Sequence, residues 1–214
     1  MSRLPAQWTL ELWTLRPYSR QFVLLPVMGL LLGFMQDSFV PIMVMMAVLT
    51  GSYGFSISEN AHLESLYATL PISRRQVVIA RYAVVLGIVV GLGLAGVVFD
   101  AVAAVIRHQN WSPVSSLAFL AASIAVAGLV VAVQFPFFFA LGYLRARFVT
   151  WLALALVIAA VALLMMPVSP GSTGIIATIG QIGPFWPLAG LLIALATLTG
   201  SAELSIRLYR RKDL

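Results

Sequence analysis

The sequence predicts an all-α membrane protein that forms one domain, residues 1–214, with six transmembrane helices. An interfacial helix is expected before the first span, and a short cytoplasmic helix between the second and third spans. Hydrophobic residues make up 61% of the chain and charged residues only 9%, against roughly 25% charged residues in soluble domains. Apolar runs recur along the whole chain. One long polar stretch, residues 59–82, interrupts them.

The residues before the first apolar run have an amphipathic pattern. We predict that residues 4–15 form an interfacial helix, because Trp8 and Trp13 are of the residue type that favours the headgroup level. A cytoplasmic extension of the first span is the alternative. The early residues lack the apolar core of a cleavable signal peptide, so the first span is expected to act as an uncleaved signal.

The spans follow from the apolar runs and from the residues that end them. The third run would measure about 45 Å as one helix, which exceeds the hydrocarbon thickness, so one end should protrude. Pro136 predicts a kink in the fourth span. Residues 167–187 are rich in Gly and Pro and are expected to form an ordered outer loop, with re-entry of residues 168–183 into the membrane left open. The predicted spans are 18–36, 39–57, 77–106, 114–141, 150–166 and 188–206.

The basic residues are distributed unevenly between the two sides of this topology. With the N-terminus inside, twelve of the thirteen Lys and Arg residues face the cytoplasm and only Arg107 faces out. This asymmetry follows the positive-inside rule. It predicts a multi-pass protein of a prokaryotic plasma membrane with both termini in the cytoplasm. Anionic lipid headgroups, rather than nucleic acid, are the expected partners of the charge.

The polar stretch 59–82 is therefore expected on the cytoplasmic side. Leu63, Leu66, Tyr67 and Leu70 share one helical face. Glu59, Asn60 and Glu64 lie off that face, and Pro71 ends the segment. Such a helix suits docking to a partner outside the membrane, although a solvated helical face is the simpler alternative.

A new helix is predicted to begin directly after this segment. Ser73 with Gln76 three residues later matches a capping box. Arg74 and Arg75 follow in the first turn, where cations oppose the helix dipole, so local helix stability does not explain them. Contact with headgroups or with an acidic partner would explain both, and Arg81 lies further along the same helix.

Several kinds of chemistry have no motif in this chain. It contains no GxxxxGK[ST] phosphate loop, no HExxH and no cysteine. The two histidines, His62 and His108, fall on opposite sides of the predicted topology, so a His-based metal site is not expected. The chain is predicted to be neither an enzyme nor the holder of a cofactor.

Three polar residues in or near the spans have two interpretations each. Asp100 could belong to a gate or proton path, or be an interfacial carboxylate near the outer end of its helix. Gln134 and Gln181 could line a cavity or gate, or hold helices together by hydrogen bonds. Gly87, Gly91, Gly93 and Gly96 permit close helix packing in the third span, and Gly87-x-x-x-Gly91 matches the close-packing spacing.

The run Leu70-Pro71-Ile72-Ser73-Arg74-Arg75-Gln76, together with Glu59 and Glu64 before it, resembles the segment between spans two and three of ABC-2 type transporter permeases. The six predicted spans, the cytoplasmic termini and Leu15-Arg16-Pro17-Tyr18 before the first span are similar in kind. One departure is that family members often have an acidic-Gly-Thr-Leu-Glu pattern where this chain has Asn60-Ala61-His62-Leu63-Glu64.

The resemblance implies a half-transporter that works as an exporter. The few polar candidates and the apolar spans fit an amphipathic or hydrophobic substrate better than an ion or sugar. A separate ATP-binding-cassette ATPase subunit would bind ATP and Mg, and a second permease subunit, identical or related, would complete the membrane domain. Residues 59–70 would be the coupling helix, residues 168–183 the outer gate, and the N-terminal helix a connecting helix. The resemblance assigns docking to Glu59, Leu63, Glu64, Leu66, Tyr67 and Leu70, and transmission or headgroup contact to Ser73, Arg74, Arg75 and Arg81.

Two other functions stay open on the sequence alone. The chain could be a secondary transporter or channel that needs no ATPase, with Asp100 carrying a proton or ion. It could also be a membrane anchor for a soluble partner, without a translocation path.

Overall fold

The computed structural model describes residues 19–34, 38–60, 73–146, 148–149, 151–152, 155–156 and 186–211. Within these residues the chain is all-α, as predicted, and contains no strand. The five long helices are α1 (Ser19–Phe34), α2 (Val40–Asn60), α3 (Arg74–Ile106), α4 (Pro113–Leu141) and α5 (Trp186–Arg211).

Four of the described helices are long and apolar enough to cross a membrane. They contain the segments Val40–Ile57, Arg74–Ile106, Pro113–Leu141 and Pro187–Tyr209, which match the predicted spans two, three, four and six. The 16 residues of α1 measure about 24 Å, short of a hydrocarbon core of roughly 30 Å. Most of the predicted fifth span lies outside the described residues, as do the N-terminal helix, residues 61–72 and residues 168–183. The count of six spans therefore stays a prediction.

The start of α3 is the capping box that the sequence predicts. The Ser73 hydroxyl accepts a hydrogen bond from the Gln76 backbone N–H (3.3 Å), and the Gln76 side chain accepts one from the Ser73 N–H (3.1 Å). The end of α2 differs from the prediction. Glu59, expected to open a separate docking helix, lies in the last turn of α2, which continues to Asn60. An unbroken backbone hydrogen-bond ladder extends the helix past the apolar run.

The helices pack around an aliphatic and aromatic core. Helix α3 runs antiparallel to α2, α4 and α5, whereas α4 and α5 run parallel to each other. The pairs α4–α5 and α2–α3 share the largest contacts, α1 packs on α2, and α3 also touches α4 and α5. At Gly96 a Cβ would lie 2.9 Å from the Val40 Cα atom, so only glycine allows α2 and α3 this close. The close approach predicted at Gly87 and Gly91 is not found, because both glycines are exposed and no described residue lies within 4 Å of an added Cβ.

The two ends of the helix bundle differ in charge. We call them the Glu59 end, where α2, α4 and α5 finish and α3 begins, and the Asp100 end opposite. Of the arginines that the structure describes, Arg107 alone lies at the Asp100 end. The arginines at the Glu59 end are Arg20, Arg74, Arg75, Arg81, Arg145, Arg207, Arg210 and Arg211.

Candidate functional site

The carboxylate of Glu59 joins the end of α2 to the turn that follows α4. Its Oε2 atom accepts a hydrogen bond from the Leu144 backbone N–H at 3.0 Å. Leu144 is the second residue of a short helical turn that begins at Tyr143. The first N–H groups of a helix lack partners within it, and a carboxylate stabilises such an N-terminus. Glu59 therefore forms a long-range cap between two cytoplasm-directed segments of the predicted topology.

Gly142 makes room for this cap. Its backbone has φ +79° and ψ 163°, a conformation that is essentially restricted to glycine. A Cβ at this position would lie 3.1 Å from Glu59 Oε1 and 3.2 Å from Oε2. The Gly142 N–H also closes α4 by donating to the Phe138 carbonyl at 3.1 Å. The same glycine thus ends one helix and admits the carboxylate of another.

Arg74 joins the beginning of α3 to the end of α5. Its Nη1 atom donates a hydrogen bond to the Tyr209 carbonyl oxygen at 3.1 Å, and its guanidinium carbon lies 5.9 Å from the centroid of the Tyr209 ring. The last carbonyls of a helix lack N–H partners and carry a partial negative charge. Arg74 opposes the dipole of its own helix but favours that of α5, which accounts for a cation in the first turn.

Arg81 contacts an aromatic cluster on the same side of the bundle. Its guanidinium carbon lies 4.3 Å from the centroid of the Phe55 ring, within cation–π range. Phe55 is buried and lies one turn before Glu59 on α2. Its ring packs against three rings of α4 at centroid distances of 4.9 to 5.1 Å: Phe135, Phe138 and Phe139.

The two helix ends that flank residues 61–72 are therefore both bonded to other parts of the bundle. The α2 side is held by Glu59 on Leu144, and the α3 side by Arg74 on Tyr209 and by the Ser73 cap. We call this arrangement the two-sided anchor. Arg75, also at this end, is exposed. The predicted docking residues Leu63, Glu64, Leu66, Tyr67 and Leu70 lie outside the described residues.

Sequence reasoning missed the partners in the two-sided anchor. A glycine directly after the apolar run that ends at Leu141 is a recognised helix-stop signal, so Gly142 could have been found. Leu144 and Tyr209 contribute backbone atoms, which no residue type indicates. Their contacts, 85 and 135 residues apart in the chain, depend on how the helices pack.

Asp100 caps the beginning of α2 at the opposite end. Its Oδ1 atom accepts a hydrogen bond from the Phe39 N–H at 2.6 Å, and Oδ2 accepts one from the Ser38 hydroxyl at 3.1 Å. These groups precede the first turn of α2, where N–H groups lack helical partners. The geometry favours the interpretation of Asp100 as an interfacial carboxylate.

Gln134 lies inside the bundle, between α4 and α2. Its side chain is 1% exposed, and its Oε1 atom is 3.4 Å from the Ser52 hydroxyl, which also donates to the Val48 carbonyl at 3.0 Å. This contact favours the interpretation in which the amide holds two helices together. Gln181, the other predicted cavity residue, lies outside the described residues.

Comparison with known protein families identifies the family of this chain. A family model described as ABC-2 family transporter protein matches residues 11–210. The chain belongs to this family. Searches of curated proteins and of solved structures return no match.

Membership of the ABC-2 family makes this chain a multi-pass membrane protein of an ATP-binding-cassette system. Members are membrane subunits and generally not catalytic themselves, and the family implies an ATPase partner. The match covers α1 to α4, α5 up to its last residue but one, the two-sided anchor and the segment between its halves.

Proposed function

We propose that this ABC-2 family protein is the permease subunit of an exporter, driven by a separate ATP-binding-cassette ATPase. The observation that carries the proposal is the two-sided anchor around residues 61–72. A segment that receives force from a partner must be connected rigidly to the helices that it moves. Glu59 and Arg74 supply such connections on the two sides of the segment.

The proposed path of force begins at the coupling helix. Leu63, Leu66, Tyr67 and Leu70 would seat in a cleft of the ATPase, with Glu64 at its rim. When the ATPase pair binds ATP and Mg and closes, the segment is displaced. The displacement enters α2 through Asn60 and α3 through Ser73, whose cap keeps the first turn of α3 intact.

The two contacts of the anchor would then spread the motion. Glu59 passes it to the turn after α4, and Arg74 passes it to the end of α5. Four spans therefore respond together to a push at one segment. A change of the whole bundle between two packed states is the usual form of such transitions.

The proposed orientation places the Glu59 end in the cytoplasm, with both termini on that side of a prokaryotic plasma membrane. The excess of arginines at this end supports it through the positive-inside rule. Exposed Arg75 would contact anionic headgroups. A second permease subunit, identical or related, would complete the translocation path, with residues 168–183 as its outer gate.

The substrate is proposed to be amphipathic or hydrophobic, such as a lipid, a peptide or an apolar drug. The composition of the spans supports this proposal, because their side chains are apolar almost throughout. Two of their described polar side chains, Gln134 and Asp100, are already bonded within the chain.

Copurification from native membranes tests the proposal. The tagged full-length chain should retain an ATP-binding-cassette ATPase, identified by mass spectrometry, and Glu64→Lys with Leu66→Asp should release it. Tyr53→Phe, at an exposed position on α2 away from the anchor, should not. ATP-dependent export in proteoliposomes should require that ATPase. Flux that follows an ion gradient without ATP, and that fails in Asp100→Asn, would overturn the proposal in favour of a secondary transporter.

A further inference from the structure

Pro136 leaves one backbone carbonyl of α4 without its helical partner. The helix continues through this buried residue to Leu141. Proline has no N–H, so the carbonyl of Ala132, four residues earlier, cannot receive the usual hydrogen bond. The Ser201 hydroxyl of α5 donates to that oxygen at 2.6 Å. A side chain of one span thus fills the gap in the backbone of another.

Two more hydroxyls, those of Tyr82 and Ser205, extend this hydrogen bond into a chain in which each hydroxyl donates to the next. The Tyr82 hydroxyl of α3 lies 2.7 Å from Ser201 Oγ and 2.9 Å from Ser205 Oγ. Each hydroxyl has one proton. Since Ser201 donates to Ala132, it accepts from Tyr82, and Tyr82 in turn accepts from Ser205. We call this row of three donors the hydroxyl chain; it joins α3, α4 and α5.

The hydroxyl chain lies inside the helix bundle, away from the helix ends. Tyr82 is eight residues from the start of α3 and Ser201 ten from the end of α5, which places both about 12 to 15 Å along their helices. All three side chains are buried, and the Phe135 ring packs on Tyr82 at 4.8 Å. In this setting no solvent replaces a lost partner, so the Ala132 carbonyl depends on Ser201.

Neighbouring hydroxyls of α5 show that another bonding pattern is available. Thr197 and Thr199 donate to carbonyls of their own helix, those of Ala194 at 2.9 Å and Ala196 at 2.8 Å. Ser205, which donates to Tyr82, could instead donate to a carbonyl of α5 in the same way if Tyr82 moved away. Hydrogen bonds between neutral groups in membrane helices are weak enough to exchange in this manner.

We propose that the hydroxyl chain is a latch that holds α4 at Pro136 against α3 and α5, and that opens when α3 moves. Tyr82 lies on the same helix as Ser73 and Arg74, so a displacement entering there reaches it after two turns. The closed latch is supported by the hydrogen bonds described above. Its opening by ATP rests on the proposed function.

A single thiol reporter tests the latch, because the chain contains no cysteine. Val78→Cys places the thiol one turn before Tyr82 at a position that is 0% exposed. We expect Tyr82→Phe to raise its rate of reaction with a water-soluble maleimide about threefold or more in the full-length chain in lipid nanodiscs. Tyr53→Phe, whose tyrosine is 44% exposed, should leave the rate unchanged. An unchanged rate in Tyr82→Phe would overturn the latch.

A double-mutant cycle tests the role of Pro136. Ser201→Ala should raise the labelling rate of Val78→Cys in the natural background. The increase should be clearly smaller with Pro136→Ala, because the restored N–H can bond to the Ala132 carbonyl. Thr199→Val, which removes a hydroxyl bonded within its own helix, should change neither background. Equal increases with and without Pro136 would show that Ser201 does not serve this carbonyl.

Labelling with and without the ATPase partner distinguishes failure of the latch from failure of the proposed function. The two labelling tests need no partner, so their results hold even if ATP-driven export is never found. With the ATPase bound, ATP should accelerate labelling of Val78→Cys. Export that proceeds under ATP without any such acceleration would overturn the opening of the latch and leave the exporter function intact.

Discussion

Glu59 illustrates, at the scale of one residue, how a polar group near the membrane acquires a specific partner. Its carboxylate accepts the Leu144 N–H, and its position on α2 is fixed by the buried Phe55 one turn earlier. A solvated glutamate would tolerate most substitutions. Where a glutamate caps another segment, removing its acceptor atom should lower the stability of the protein more than removing its charge alone.

Glu59→Ala should therefore lower stability by roughly 1 kcal/mol, because it removes one hydrogen bond to a charged group near the surface. Glu59→Gln keeps an acceptor oxygen and should lose less. Thermal unfolding in detergent measures both. If the two-sided anchor transmits force, Glu59→Ala should also lower the amount of substrate exported per ATP hydrolysed, with hydrolysis itself retained.

Gly142→Ala tests the same contact from its other side. The added Cβ would meet the Glu59 carboxylate at 3.1 Å in a backbone conformation that non-glycine residues avoid. The variant should resemble Glu59→Ala in export per ATP, and combining the two should cost less than the sum of both. Additive losses would show that the glycine and the carboxylate act independently.

At the scale of elements, the sequence predicted well those features that depend on local chemistry. The Ser73–Gln76 box is an interaction within four residues, and the start of α3 was predicted correctly because the residue types alone define it. The apolar runs also located α2, α3, α4 and α5 to within a few residues. A span in contact with lipid requires a continuous apolar stretch, so the sequence alone indicates these boundaries.

The elements that were missed depend on contacts between distant helices. Of the four glycines of α3 that were predicted to permit close packing, Gly93 and Gly96 approach neighbouring helices, whereas Gly87 and Gly91 are exposed. Glycine is equally suitable on either face of α3, and only the positions of α2 and α4 decide between them. The hydroxyl chain was missed for the same reason, since Ser201 gains its role only from a carbonyl in another helix.

The two serine caps provide a matched prediction for elements. Ser73→Ala should cost about 1 kcal/mol by removing the acceptor at the start of α3. Ser112→Ala removes the corresponding cap of α4, which accepts from the Ser115 N–H at the Asp100 end. Both variants should lower the unfolding temperature. Only Ser73→Ala should reduce export per ATP, and an equal effect of Ser112→Ala would argue against force entering through α3.

At the scale of the whole molecule, the described helices separate charge between two ends. Arg74 and Glu59 bind groups of other helices at one end, and Asp100 does so at the other. The charged side chains near the membrane therefore have two roles at once. They bind backbone groups at the ends of neighbouring helical segments, and the excess of arginines makes the two ends of the bundle different.

The orientation of the two ends in the membrane can be measured because the natural chain lacks cysteine. Leu144→Cys and Gln109→Cys place single thiols at exposed positions of the Glu59 end and the Asp100 end, without removing an arginine. In intact cells an impermeant maleimide should label Gln109→Cys and not Leu144→Cys, since the arginine-rich end stays in the cytoplasm. Inside-out vesicles should give the opposite pattern. Labelling of Leu144→Cys in intact cells would place the two-sided anchor outside, where no ATPase could reach residues 61–72.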